Sequence, residues 1–277
     1  MTTARREAPA ELRPLLDVWW TAVGGVLDVL ADLDEAEWDL PTDLPGWDVR
    51  AIASHVAHAE AVIATGEQET ADVGREPHVR NPLGAWTEIG VANRRSATPA
   101  ALLAEIRTVT SLRRASLRAE PPLDPDAPAP SPFGDLGWSV RTLLRNRPFD
   151  LWMHEQDLRR ATGRPGGLDT AAADHAVAFL AESLGYVLVK RARAEAGDSV
   201  VLALAGEEPR AALVGPDGRA RPAPVPDAPT LVVRTDRETF VRLAGGRCRP
   251  QDVAAAVVLE GDEALGERFL AGLTTTP

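Results

Sequence analysis

Side chains able to bind a metal ion recur in the stretch RPFDLWMHEQDLRRATG, residues 147–163. Asp150 and His154 are four positions apart, and Asp157 follows one further turn along. Residues three or four apart in an α-helix lie on the same face, so a carboxylate and an imidazole at this spacing are able to bind one ion. The spacing offers Asp150 and His154 as ligands of a divalent metal, and Asp157 is able either to orient a ligand or to bridge to an arginine.

The segment SHVAHAE supplies two candidates for the third ligand, His55 and His58. At about 100° per residue, His55 lies close to the apolar stripe that includes Ile52, whereas His58 falls on the opposite, wetter side. His55 is therefore the predicted ligand. A His/His/carboxylate set leaves a coordination position open for water or substrate, as catalytic zinc sites do, and it also suits iron, nickel or manganese.

A reading without metal fits the same residues. Arg147 precedes Asp150 by three positions, so the two are able to form an ion pair on a solvated helix edge. The zinc-protease motif H-E-x-x-H fails because position 158 is Leu158 instead of a second histidine. The spacing alone therefore leaves both readings open.

The remaining candidates for chemistry are weaker. Cys248, the single cysteine, has no histidine near it in sequence. It lies between Arg247 and Arg249 and is expected to have no chemical role. His78 and His175 are expected to be structural or exposed. Trp47 and Trp152 are expected to pack the core. The glycine-rich phosphate loops and the G-x-S-x-G motif are absent, which argues against a nucleotide enzyme or a serine hydrolase.

Composition narrows the class of partner. The chain has 277 residues, 41 acidic against 30 basic, and a net charge of −11. This balance disfavours nucleic acid and anionic membranes and favours a small-molecule substrate. The sequence shows no run of about 18 apolar residues and no apolar signal-peptide core after MTTARREAPAELRPL, so a cytoplasmic location is expected.

Helical periodicity dominates the first part of the chain and positions the candidate ligands. Helices are predicted over residues 11–35, 49–66, 84–94, from Thr98-Pro99 to about 119, and 139–162. The proline-rich segment 120–137 is predicted to be a loop. The four long helices favour a bundle, with His55 on the second and the Asp150/His154 pair on the last.

The rest of the chain has a different pattern. A helix over 170–192 is followed by the β-like runs SVVLALAG, RAALVG, APTLVVRTD and AAAVVLEGD, with short helices near 236–245 and 262–272. The predicted fold class is therefore α plus α+β. The predicted domains are a four-helix bundle over residues 1–165 and a smaller α+β domain over residues 166–277.

Two segments together carry a family resemblance, LPTDLPGWDVRAIASHVAHAEAVI and RNRPFDLWMHEQDLRRATGRP. They resemble the mycothiol-dependent maleylpyruvate isomerase family over about residues 10–165. The resemblance implies a DinB-like four-helix bundle at the N-terminal end. The C-terminal part, which ends in AAAVVLEGDEALGERFLAGL, resembles the small sterol-carrier-like α+β domain of the same family.

The resemblance also implies a function. It places a divalent metal, usually zinc, on His55, Asp150 and His154, although the family pattern has a glutamate where this chain has the shorter Asp150. Mycothiol would bind as the thiol cosubstrate, and its thiolate would attack a small electrophile in an isomerase or S-transferase reaction. Arg247 is the candidate for binding substrate carboxylates by paired hydrogen bonds.

Two other classes of function remain open on the sequence. The chain is alternatively a non-catalytic module of the same fold that binds metal or a small ligand, or a scaffold that binds no metal. Stoichiometric metal would separate the scaffold from the other two. Thiol-dependent turnover would separate the enzyme from the binding module.

Overall fold

The computed structural model describes residues 7–276. The chain divides into two compact units between His175 and Ala176. A helical first part is followed by a small mixed sheet with helices, which confirms the predicted fold class.

Five α-helices lie wholly within the described residues of the first unit: α1 (Arg13–Ala31), α2 (Val49–Thr65), α3 (Pro82–Arg94), α4 (Pro99–Ala119) and α5 (Val140–Ala161). Helix α1 packs against α5 and α2 packs against α4, which gives the predicted four-helix bundle. The shorter α3 packs on α2.

Side-chain caps fix where these helices begin. Asp48, Thr98 and Ser139 each accept a hydrogen bond from the backbone N–H three residues further on, at the starts of α2, α4 and α5. Gly66 ends α2 with a φ of 76°, a left-handed conformation that glycine adopts without strain. These caps set the register of the two helices that carry the candidate ligands.

Helix α5 is buried to an unusual extent. From Arg147 to Leu158 every residue is buried except Asp150, which is partly exposed. Apolar burial against α1 supplies most of the driving force, since each fully buried large aliphatic side chain contributes about 1.5–3 kcal/mol. The buried stretch also contains charged residues, which must be paired.

The second unit is built on a five-stranded sheet. Its strands are β1 (Ser199–Leu204), β2 (Arg210–Val214), β3 (Ala220–Ala223), β4 (Leu231–Thr235) and β5 (Val258–Gly261). Their order is β3-β2-β1-β4-β5; β1 and β4 are parallel, and the other neighbours are antiparallel. Strand β3 was not predicted, because its sequence ARPA lacks the apolar alternation of a strand.

The helix predicted over 170–192 is interrupted. It forms α6 (Ala171–Ala181), the single turn α7 (Leu184–Tyr186) and a π-helical turn over Val187–Arg191. The two remaining helices are α8 (Arg237–Ala244) and α9 (Glu263–Ala271), close to the predicted spans.

Two helical stretches, Arg13–Ala31 and Ala171–Arg191, are long and apolar enough to cross a membrane by length and composition alone. This differs from the expectation that no run would reach that length. Core helices of soluble proteins meet the same criterion, and α1 packs against α5 within the bundle. The finding is therefore weak evidence for a membrane.

Candidate functional site

The site lies where α2 and α5 face each other. His55 Nε2 lies 3.3 Å from Asp150 Oδ2, and His154 Nε2 lies 3.6 Å from Asp150 Oδ1. One ligand atom from each of the three residues lies within 4.8 Å of the other two. The structure thus brings together the three residues that the sequence singled out.

Burial of the three side chains is uneven. His55 and His154 are 3% and 6% exposed, whereas the Asp150 side chain is 25% exposed. The imidazoles are held in the protein interior, and the carboxylate lies at the rim. A small molecule approaching from solvent would therefore meet the site on the side of Asp150.

The protonation states suit metal binding. Burial lowers the pKa of His55 to about 4, although the nearby Asp150 carboxylate opposes the shift. Burial by itself would raise the pKa of Asp150, but Arg147 and the two histidines outweigh it and hold that pKa well below its usual value. Near neutral pH the site therefore offers a neutral imidazole from His55 and a carboxylate, the forms that bind metals.

Asp157 contacts one of these candidate ligands. Its Oδ2 lies 3.2 Å from His154 Nδ1, so the opposite ring nitrogen, Nε2, is directed toward Asp150. Asp157 is fully buried, and Arg160 Nη2 donates a hydrogen bond of 2.6 Å to its other oxygen. Arg160 also pairs with Asp43. This carboxylate–histidine arrangement commonly fixes the tautomer of a ligating imidazole.

Trp47 does more than pack the core, contrary to expectation. Its ring centroid lies 5.2 Å from that of His55 and 6.0 Å from that of His154, so the indole contacts both imidazoles. Its Nε1 donates to Glu88 Oε2 at 3.0 Å, and His78 Nε2 lies 3.0 Å from the same oxygen. Trp152, in contrast, is fully buried as expected.

The remaining histidines and the cysteine have no place among the three candidate ligands. His175 is structural, with its Nε2 2.7 Å from the carbonyl oxygen of Arg145. Cys248 is partly buried in the second unit. Arg247 lies beside it, donates from Nη1 to Gly245 O at 2.6 Å, and lines a cavity of about 410 Å³ within the second unit.

Sequence reasoning missed the charged residues behind the site. Arg147 donates from Nη1 to Asp150 Oδ2 at 2.9 Å, as the alternative reading expected, but the pair belongs to a larger buried network. Glu60 on α2 and Arg113 on α4 complete it. The ion pair and the cluster of three candidate ligands coexist, so the pair by itself does not exclude a metal. The solvated helix edge expected in the metal-free reading is not found, because Arg147 and His154 are 2% and 6% exposed.

Two family models match the chain. The model described as the mycothiol maleylpyruvate isomerase N-terminal domain matches residues 19–159. The model described as the MDMPI C-terminal domain matches residues 174–268. No curated protein matches the chain.

Two solved structures are similar to the chain. They are crystal structures of the mycothiol-dependent maleylpyruvate isomerase and of a histidine-to-alanine mutant of it, with TM-scores of 0.51 and 0.56 respectively. In each case the identity is 19%, and the match covers 90% of this chain and 92% of that chain. At this level of identity the likeness shows the fold.

Proposed function

We propose a function for this chain, which belongs to the mycothiol maleylpyruvate isomerase family, as the two matched family models show. This membership confirms the resemblance found in the sequence and the prediction of an enzyme. The sequence predicted a mycothiol-dependent isomerase or S-transferase, and the family supports the isomerase. The identity of the metal, the roles of individual residues and the substrate are the subject of the proposal.

We propose that His55, Asp150 and His154 bind one divalent metal, and that the metal is zinc. The observation that carries this proposal is the convergence of their ligand atoms within 4.8 Å. The donor set fits, because two neutral imidazoles and one carboxylate are typical of catalytic zinc and leave a position for a further ligand. Asp157 supports the set by fixing His154.

The chemistry proposed for this site is that of an activated thiol. A metal bound there would favour the thiolate form of mycothiol near neutral pH. The thiolate adds to one carbon of an activated double bond in a small electrophile, the remaining single bond rotates, and elimination restores the double bond and the thiolate. In an S-transferase the carbanion formed by the addition would instead take up a proton from water, and the resulting thioether would be released.

The chain's own residues hold the reactants in place. Trp47 covers the two imidazoles on one side, and the partly exposed Asp150 leaves the other side accessible. Arg247 is proposed to bind a substrate carboxylate, supported by the cavity that it lines in the second unit. Residues 1–165 are proposed as the metal-binding domain and residues 166–277 as the sterol-carrier-like domain.

A cytoplasmic location is part of the proposal. The chain has one cysteine and therefore no disulfide within itself, and a reduced thiol cosubstrate belongs to a reducing compartment. Fractionation of the native cells would test this, since enzyme found with the membrane fraction would contradict it.

Elemental analysis of the untagged protein tests the metal site first. We expect about one divalent ion per chain in the wild type and its loss in His55→Ala and Asp150→Ala, because each change removes a ligand from an open site. A wild-type protein that binds no metal after reconstitution would refute the site. Equal metal content in all three proteins would refute the assignment of residues.

Turnover of a model electrophile with mycothiol tests catalysis. We expect thiol-dependent turnover that is lost in His154→Ala while circular dichroism stays unchanged. An isomerised product that contains no sulfur indicates the isomerase, and an accumulating thioether indicates the transferase. Metal binding without turnover would instead favour a binding module.

A further inference from the structure

A chain of buried ion pairs ends on the candidate ligand Asp150. Arg113 Nη1 donates to Glu60 Oε2 at 2.7 Å, and Arg147 Nε donates to Glu60 Oε1 at 3.0 Å. Arg147 Nη1 then donates to Asp150 Oδ2 at 2.9 Å. The chain of contacts connects α4, α2 and α5, three of the four helices of the bundle.

The charged side chains of this network are almost completely buried, which does not by itself stabilise the fold. Glu60 is fully buried, and Arg113 and Arg147 are 3% and 2% exposed. Replacing buried ion pairs by apolar residues of similar size is often neutral or stabilising, since removing charges from water costs free energy. Arg147 Nη2 is also buried and has no hydrogen-bond partner within residues 7–276, a further cost. Stability alone therefore does not explain the network.

The geometry shows what the network does to Asp150. An aspartate reaches one methylene less far than a glutamate, so its carboxylate has to be held at a defined place to meet two imidazoles on two helices. Arg147 binds Oδ2, while Oδ1 lies 3.6 Å from His154 Nε2. Glu60 in turn accepts a hydrogen bond from Arg147 Nε, which keeps the guanidinium of Arg147 against Asp150.

The charges are also balanced in a way that suits a cation. Arg147 alone would repel a metal ion at Asp150, since both are positive and close in a region of low dielectric. The Glu60 carboxylate lies against Arg147, and the charges of Arg147 and Arg113 together keep the pKa of Glu60 low although its burial raises it. An ionised Glu60 offsets the charge of Arg147, and Arg113, which contacts Glu60, offsets Glu60 in turn. With Asp150 included, the two positive and two negative charges of the network sum to zero.

We propose that Arg147, held by Glu60 and Arg113, is a positioning residue that fixes the Asp150 carboxylate for metal binding and thereby sets the affinity for the metal. The proposal rests on the metal site of the proposed function. It assigns to three residues outside the ligand set a role in the strength of binding.

Arg147→Lys tests the proposal because it keeps the positive charge but removes the planar guanidinium group, which contacts Glu60 and Asp150 at the same time. We expect the dissociation constant for zinc, measured by competition with a chromophoric chelator, to rise by about 10–100-fold, the usual effect of removing an outer partner. The visible spectrum of the cobalt-substituted protein should also change, which a purely structural role would not require.

Two further variants make the result interpretable. Arg159→Lys is the matched control, since Arg159 lies on the same helix and pairs with the buried Glu155, which is not among the candidate ligands. Its zinc affinity should equal that of the wild type. If Arg147→Lys does not fold, the double variant Glu60→Gln/Arg113→Met removes one negative and one positive charge together and should weaken zinc binding in the same direction.

The outcomes separate this proposal from the one on which it rests. Zinc bound by the wild type and bound equally by Arg147→Lys would overturn the positioning role and leave the metal site intact. An equal loss in Arg159→Lys would overturn it as well, since the effect would then be general. A wild type that binds no divalent metal would overturn both.

Discussion

His55 and His58 lie one turn apart on α2, both buried and both beside a carboxylate. His55 Nε2 is 3.3 Å from Asp150 Oδ2, and His58 Nδ1 is 3.2 Å from Glu69 Oε2. Burial lowers the pKa of each imidazole. By these local measures the two histidines are nearly alike, yet only His55 meets two further candidate ligands within residues 7–276.

The difference lies in what faces each ring. His55 faces α5, which contributes both Asp150 and His154. His58 instead packs against the indole of Trp86, with ring centroids 4.5 Å apart. Its carboxylate neighbour, Glu69, is already bound by Arg94, and that hydrogen bond lowers the pKa of Glu69 to about 2. A buried histidine becomes a candidate ligand when a second helix brings further donors to it.

Replacing His55 and His58 separately by asparagine should give the largest difference in zinc affinity. We expect His55→Asn to weaken zinc binding by more than the roughly 10–100-fold that follows loss of an outer partner, because it removes a ligand. His58→Asn should keep the wild-type dissociation constant. Chelator competition measures both. Equal losses in the two variants would show that the contrast between the histidines is wrong.

The close packing around His58 predicts a second, smaller effect. A Cβ placed on Gly90 in α3 would lie 2.3 Å from His58 Cβ, a distance that forces α3 and α2 apart. We expect Gly90→Ala to lower the free energy of unfolding by about 1–3 kcal/mol, as overpacking does, and to leave zinc affinity unchanged. Urea denaturation measures the first quantity.

Gly24→Ala is the matched control for this substitution. Gly24 lies within α1 and has open space where a Cβ would be added. Alanine there should raise the free energy of unfolding by about 0.5–1 kcal/mol, since glycine is unfavourable inside a helix. Destabilisation of similar size at both positions would contradict the packing argument for Gly90.

Helical periodicity was sufficient to predict which three side chains converge, but not their surroundings. His55, Asp150 and His154 follow from spacing and from the apolar stripes, which are local properties of the sequence. The same arithmetic placed His58 on a wet face and was wrong there, because it treats a helix as having one buried side. In the structure α3 covers the second side of α2, and Trp86 and Gly90 close over His58.

The supporting residues depend on contacts between distant parts of the chain. Glu60 and Arg147 are 87 positions apart, and Trp47 and Glu88 are 41 apart. No local pattern in one sequence pairs such residues. The pairing of Trp47 with Glu88 depends on where α3 packs, since α3 carries Glu88 to the site.

Glu155 is a third buried titratable residue to compare with His55 and His58. It is next to the candidate ligand His154 in sequence, but its side chain faces away from the site. It follows His154 directly and is 2% exposed, yet a Cβ on Gly25 of α1 would lie 2.1 Å from its Oε2. Glu155 therefore faces α1, and Arg159 Nε donates to its Oε1 at 2.7 Å. Burial raises the pKa of Glu155 above 4.5, although the bond from Arg159 partly offsets the shift.

This raised pKa predicts the smallest of the three expected effects, a change in the free energy of unfolding with pH. Between 4.5 and the raised pKa the folded chain binds more protons at Glu155 than the unfolded chain does, so this residue's contribution to stability falls as pH rises. Urea denaturation at a series of pH values should show Glu155→Gln gaining stability relative to the wild type across that window. The gain should be absent below it, where both states of Glu155 are protonated. A difference between the two proteins that does not vary with pH would mean that Glu155 has the same pKa in the folded and unfolded states. Burial would then not move the pKa of Glu155 as it moves the pKa of His55 and His58.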